Sequence, residues 1–455
     1  MKKPNIIFIM SDDHASHAMS CYGSKINETP NIDRIANEGM KLNNTFCTNS
    51  ICGPSRATIL TGKYSHINGV ETLDDKFDNT QMTFPKLLQK NGYKTAMIGK
   101  WHLGQGKENE PTGFDYWNVL PGQGDYVNPE MIEMGEKKKI QGYVTDLITD
   151  FSIDWMDEMK NNDEPFLLMC HHKAPHRPWV PDEKHADMYK DIEIPYPETF
   201  DDDYSNRASA AENAEMRIDE DLVFGWDLKD LPPREISMDK KKTKKWKYQQ
   251  YIKDYLGCIA SIDDNVGRIL DYLDEEGLTE NTIIVYTSDQ GFFLGDHGWF
   301  DKRFFYEESL RMPFIVRYPK EIEQNSVNNN IILNTDFAPT FLDYAGIDIP
   351  DEIQGDSFRK FLSEESLDNW REVMYYHYSM FPSTHNVYPH YGVRTDRYKL
   401  IYYYDSGDNG EWELFDLETD PNEMKNQYNN PEYQEIITEL KKKLYKEKSK
   451  LKDYS

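Results

Sequence analysis

Two pairs of adjacent oxygen-bearing side chains, Asp12-Asp13 and Asp289-Gln290, each stand just beyond a short apolar run. Hard cations want such donors: calcium takes six to eight oxygens and magnesium six, so two clusters converging from separate strands would hold one ion. The alternative is that these carboxylates cap the helices that follow. A second chemical feature is Cys52, in Cys52-Gly53-Pro54-Ser55-Arg56, which reads as a turn with proline at the first position of a short helix. Free amide hydrogens and the helix dipole at such an end favour an anion and lower a thiol pKa. A bare-thiol nucleophile is the simplest chemical reading, with a small buried cysteine as the plain alternative.

These residues need strands to position them. Asn5 to Met10, Thr95 to Ile98, Phe166 to Cys170 and Thr282 to Thr287 are continuous rather than alternating apolar runs, as buried parallel strands are. Each leads into a polar cluster: Asp12-Asp13-His14, Lys100-Trp101-His102, His171-His172 with His176 beyond, and Asp289-Gln290. Ligands bind outside the carboxyl ends of strands in an open α/β sheet, so the four clusters are expected to share one crevice. Helical patterns at Pro30 to Gly39, Ser55 to Gly62, Leu147 to Met159 and Tyr251 to Glu276 supply the covering layers. The expected fold class is α/β: a large domain over residues 1–365, with a central mostly parallel sheet flanked by helices and a surface insertion at 195–250. A smaller C-terminal α+β unit, residues 366–455, is expected to hold an antiparallel sheet and a terminal helix from Tyr433. Its strands are read at Val373 to Tyr378, Tyr398 to Tyr404 and Glu411 to Leu417.

Composition narrows the partners. With 52 Lys and Arg against 80 Asp and Glu, the 455-residue chain carries a formal charge of −28, the wrong sign for a general nucleic-acid binder. The longest apolar runs, such as Ile6 to Met10, fall far short of the ~18 residues a membrane span needs, so no membrane insertion is expected. The five cysteines include no C-x-x-C pair, which argues against a disulfide framework or a structural zinc site. Met1-Lys2-Lys3 runs straight into a strand without a small-residue cleavage site, so the chain as given reads as cytoplasmic, or periplasmic or secreted if a leader has been trimmed.

Cys52-Gly53-Pro54-Ser55-Arg56 with Leu60-Thr61-Gly62-Lys63 downstream resembles the maturation signature of type I sulfatases, within the alkaline-phosphatase-like superfamily. The resemblance extends in order through Asn5 to Asp13, Thr29 to Gly39, Gly99 to Gly104, His171 to Pro178 and Ser288 to Gly291, with Asp296-His297-Gly298 and Asp301-Lys302-Arg303 after it. It implies that Cys52 is oxidised by a maturation enzyme to formylglycine, whose hydrated aldehyde takes the sulfuryl group. Asp12, Asp13, Asp289 and Gln290 match the family's calcium ligands, joined by residue 52; many members have Asn or His at the position of Gln290. Arg56, Lys100 and His102 match residues that hold and polarise the formylglycine diol, and His176 and Lys302 match groups around the sulfate ester. The resemblance casts His176 as general acid to the leaving alcohol and His102 as base for the second hydroxyl. Gathered positive charge suits an anionic ester, and against a −28 chain it makes activity salt-dependent.

The substrate expected from the resemblance is a small-molecule or oligosaccharide sulfate ester. The segment His385 to Lys399 is similar to that of glycan sulfatases, including N-acetylglucosamine-6-sulfatase-like members, and implies substrate contacts from His385, His390 and Arg394, with His297 a further candidate. Tyr375, Tyr376, Tyr378 and Phe381 suit sugar stacking, and equally a sheet core. Three alternatives stand beside this reading: an aryl or alkyl sulfatase, a phosphonate monoester or phosphodiester hydrolase of the same superfamily, and a catalytically degenerate protein that binds anionic glycans.

Overall fold

Ile6, Ile7, Phe8, Ile9 and Met10 are all fully buried, as a strand covered on both faces must be. The computed structural model describes residues 2–363, 367, 369–406 and 410–455. Within it the four apolar runs become the strands Asn5–Ser11, Lys94–Lys100, Phe166–His171 and Thr282–Ser288, parallel and adjacent at the centre of one large sheet. Their register sets Ser11 opposite Ser288 and Gly99 opposite His171, so the polar tails leave the sheet at one level. Gly99 is required there: with φ +103°, a Cβ would stand 2.0 Å from the His171 carbonyl oxygen. Tyr116–Leu120 extends the parallel part beyond Lys94–Lys100. On the other side lie two strands absent from the sequence reading, Arg311–Arg317 antiparallel to Thr282–Ser288 and Met40–Phe46 antiparallel to Arg311–Arg317.

The helix expected from Tyr251 begins earlier and spans Lys240–Glu275. The basic run Lys240 to Lys247 is its first two turns, where cations oppose the helix dipole; Asp239 offsets this by accepting from the Lys241 and Lys242 amides. The surface insertion therefore needs correction. Its last eleven residues belong to this helix, and Ala210, Ala211, Met216, Ile218, Leu222 and Leu228 are buried.

The C-terminal sheet runs Met374–Tyr378, His390–Arg394, Tyr398–Tyr403, Glu411–Asp416, antiparallel throughout. The second of these strands lies within the segment His385 to Lys399, read as substrate-lining. Tyr375, Tyr376 and Tyr378 are buried, so the core reading holds for all three. The terminal helix Gln434–Leu451 covers the sheet with Ile437, Leu440, Leu444 and Leu451, an apolar stripe at helical spacing. The expected boundary between residues 365 and 366 lies outside the described residues. Among the described residues, no helix is long and apolar enough to cross a membrane.

Candidate active site

The helix that carries residue 52 spans Cys52–Thr61 and every residue of it is buried. It opens two residues before the expected start, so Pro54 is the third helical position, where a missing N–H is still harmless because the first four have no helical partner. Ser55 closes the first helical bond to Ile51 at 2.9 Å, and its hydroxyl donates to the Asp289 carbonyl. The helix N-terminus is thereby tied to the end of the Thr282–Ser288 strand.

Three carboxylates, those of Asp12, Asp13 and Asp289, place oxygens within 4.8 Å of one another, and atoms of Asp12, Cys52 and His176 meet the same limit. Strand-end topology thus brings residue 52 to the acidic cluster. Three buried cations face it: Lys100 pairs with Asp12, Arg56 Nε donates to Asp289 Oδ2 at 2.9 Å, and Lys302 Nζ lies 2.6 and 2.8 Å from the two Asp13 oxygens. Gln290 Nε2 donates to Asp13 Oδ1 at 2.5 Å, and its Oε1 is buried without a donor. Asp12 Oδ1 is likewise buried without a hydrogen bond. Unmet acceptors cost free energy, and an all-oxygen set with two of them fits a hard cation.

Burial sets the protonation states. It pushes the Asp13 carboxyl up to about 6 despite the pull of Lys302. It also pushes the Cys52 thiol up to about 12, with Asp289 and Asp13 adding to it against Lys302 and Arg56. The expected lowering at a helix end is therefore overturned: desolvation outweighs the dipole, and a bare Cys52 is a neutral thiol. His102 and His176 sit well below the usual imidazole value, first through burial and then through Lys100 and the other cations around them. His176 Nδ1 donates to the Arg177 carbonyl at 2.5 Å, so Nε2, 3.8 Å from Asp13 Oδ2, is the nitrogen with a free lone pair toward the cluster.

Several residues here hold backbone that L side chains rarely adopt. Asp13, His102, Asp301 and Arg303 have φ of 69°, 56°, 79° and 89°. Such positions cost about 1–3 kcal/mol each and persist only where the surroundings over-determine them, which is typical of functional sites.

A cavity of about 620 Å³ opens over the cluster and is lined by Cys52, His176 and Lys302 at its base. Asp301, Arg303 and His385 form one wall: Arg303 Nε is 3.1 Å from Asp301 Oδ1, and His385 Nε2 is 3.3 Å from Asp301 Oδ2. His385 lines the cavity. The other three substrate candidates need correction. His297 is fully buried, with Nδ1 2.9 Å from Asp202 and its ring among Trp299, Tyr306 and Phe293. His390 accepts from the Phe305 amide at 3.1 Å and stacks on Tyr376 inside the C-terminal sheet. Arg394 pairs with Glu307 at 2.9 Å and lies over the Phe46 ring. All three hold the fold together away from the cavity.

Two pocket cations escaped the sequence reading, Lys173 and Arg177, although both lie inside the His171 to Pro178 motif. Lys173 is buried with its ammonium over the Tyr126 ring, and burial pushes it down to about 8. The signal was available, since each basic residue of a motif at a strand end is a candidate for the same crevice. His171 braces the Lys100 and Arg56 backbone and side chain, and His172 is buried beside Cys170.

Residues 4–347 match the sulfatase family, and residues 295–450 match the C-terminal part of N-sulphoglucosamine sulphohydrolase. The chain is 45% identical to N-acetylglucosamine-6-O-sulfatase of Bacteroides thetaiotaomicron, with 99% of this chain and 87% of that protein covered. It is 31% identical to an arylsulfatase of Clostridium perfringens, with 98% and 94% covered. A solved structure of a protein in complex with its substrate D-glucosamine-2-N,6-O-disulfate superposes with a TM-score of 0.93 at 45% identity, covering 100% of this chain and 99% of that one. A phosphonate monoester hydrolase of Silicibacter pomeroyi shares the fold, with a TM-score of 0.80 at 20% identity over 99% and 96%. With a family match over most of its length and a relative at 45% identity over nearly all of it, this chain belongs to the sulfatase family and is a sulfuric ester hydrolase.

Proposed function

We propose that this sulfatase removes the sulfate monoester from an O-sulfated amino sugar of the N-acetylglucosamine-6-sulfate kind, using a formylglycine made from Cys52. The observation that carries the reading is the cavity itself, which joins residue 52, His176 and Lys302 at its base to a polar wall of Asp301, Arg303 and His385. A charged base suits the sulfate, and a wall of convergent donors and acceptors suits sugar hydroxyls. The relative at 45% identity is an N-acetylglucosamine-6-O-sulfatase, which supports the choice of sugar.

A formylglycine at position 52 would supply a hydrated aldehyde as the nucleophile toward sulfur. Asp12, Asp13, Asp289, Gln290 and residue 52 would hold a calcium ion, which would supply positive charge to the site. The chain's own residues do the rest. Lys302, Lys100 and Arg56 gather positive charge where negative charge develops during transfer. His176, fixed through Nδ1, presents Nε2 to exchange a proton with the bridging oxygen of the leaving alcohol. Burial and then the cations Lys100, Lys302 and Lys173 hold His176 well below the usual imidazole value in the free site. His102, whose buried Nδ1 has no hydrogen-bond partner, would serve as the base. A maturation enzyme is the protein partner this chemistry requires, and the unit following residue 366 contributes to the pocket through His385.

A screen of defined sulfated mono- and disaccharides tests the reading. Turnover of 6-O-sulfated glucosamines in preference to aryl sulfates is expected, and turnover of aryl sulfates alone would reject the sugar. Matched sulfate and phosphate esters, compared in parallel, separate the phosphonate or phosphodiester alternative.

A further inference from the structure

Trp226 is 61% exposed, and its ring lines the mouth of the same cavity whose base holds Cys52. Large aromatic side chains are usually highly buried, so an exposed tryptophan on a pocket wall needs an explanation. Two more exposed apolar side chains, Val127 at 54% and Leu73 at 36%, line that cavity with it. The cavity is therefore mixed in character, lined by polar and charged groups such as Asp301 and His385 and by exposed apolar side chains, Trp226 the largest of them.

Trp226 is not a loose surface residue. Its neighbour Asp227 is buried and takes two hydrogen bonds from the Arg177 guanidinium, each 2.7 Å. Asp227 also accepts from the Val223 amide at 2.9 Å, and its own amide donates back to the Val223 carbonyl at 2.8 Å, which closes a tight turn around Trp226. Lys247, from the long helix, donates to the Leu222 carbonyl at 3.2 Å and so anchors the turn from below. Arg177 in its turn lies over Phe300 and reaches His385 Nε2 at 3.1 Å. One bidentate ion pair thus fixes the tryptophan relative to the polar wall of the pocket.

We infer that the mouth of this cavity is a second sugar subsite, in which the Trp226 ring stacks on the unit linked to the sulfated one. A pyranose offers an apolar C–H face and a polar rim, and a rigid indole with one wet edge matches that division. The substrate class is then a sulfated sugar at the end of a di- or oligosaccharide rather than a free monosaccharide. The inference rests on the sulfated-sugar reading above.

The test compares kcat/KM for 6-O-sulfated N-acetylglucosamine with that for a disaccharide carrying the same unit at its non-reducing end. The wild-type protein, matured at residue 52, should favour the disaccharide. In Trp226→Ala the disaccharide-to-monosaccharide ratio should fall about tenfold, the scale of one stacking hot spot, with the change mainly in KM. Trp226→Tyr should restore most of the ratio. An unchanged ratio, whether both substrates fall together or neither does, would overturn the subsite, as would a wild-type preference for the monosaccharide. A wild type that hydrolyses an aryl sulfate but neither sugar would reject the glycan reading itself and the subsite with it.

Discussion

Two buried clusters of charge can be set side by side. In one, Asp12, Asp13 and Asp289 meet Arg56, Lys100 and Lys302 at the carboxyl ends of the central strands. In the other, Glu307 accepts from Arg394 at 2.9 Å and Arg311 at 2.5 Å and forms an ion pair with Lys399 at 2.9 Å, and Lys399 also pairs with Glu423 at 2.6 Å. Burial opposes ionisation in both. In the second, Arg394, Lys399 and Arg311 still hold Glu307 well below the usual carboxylate range, a self-contained arrangement that joins the C-terminal sheet to the rest. None of its side chains lines the large cavity. The first cluster borders that cavity and leaves Asp12 Oδ1 and Gln290 Oε1 without donors. Buried charge by itself does not mark function; charge with unmet acceptors at the floor of a cavity does.

The strongest way to break this distinction is Cys52→Ala, which should abolish turnover while leaving the thermal midpoint within a few degrees; retention of most of the rate would remove residue 52 from the chemistry. Chelation of divalent ions should bring activity to the same floor, and calcium should restore it. Stability should follow, by about 2.7 kcal/mol at a calcium concentration of 100 Kd, because the ion binds the folded state alone. An unchanged midpoint and rate after chelation would leave the acidic cluster with a merely structural role. His176→Ala should cost roughly 10²- to 10⁴-fold on sugar sulfates and less on aryl sulfates with good leaving groups, since the latter need little protonation. Equal losses on both would exclude His176 as the acid. On the other side of the comparison, Glu307→Ala should leave kcat of the folded protein near wild type while removing about 3–5 kcal/mol of stability, because three cations lose one partner. Denaturant unfolding reads the second effect. A large fall in kcat at unchanged stability would show that the two clusters are not separate.

The central strands and their polar tails were legible because both-face burial writes a continuous apolar run, and parallel topology then gathers the four tails into one place. Arg311–Arg317 was hidden by Pro313, which argues against an internal strand; the register shifts between Met312 and Phe314, and the Pro313 carbonyl accepts from Thr287 instead. Residue type could not separate His385, at the pocket, from His390, five residues on and sealed in the sheet. That difference is one of strand direction and partners, to which spacing gives no access. The Cys52 thiol was misjudged for a similar reason: a helix end is visible in sequence, but full burial, which outweighs it, is not.

Mass spectrometry of the peptide spanning residue 52, from protein made with a competent maturation enzyme, tests the central claim most directly. Conversion to formylglycine predicts a mass lower by ~18 Da than the cysteine form, with activity in proportion to the converted fraction. Full activity in protein that keeps its Cys52 thiol would contradict the account.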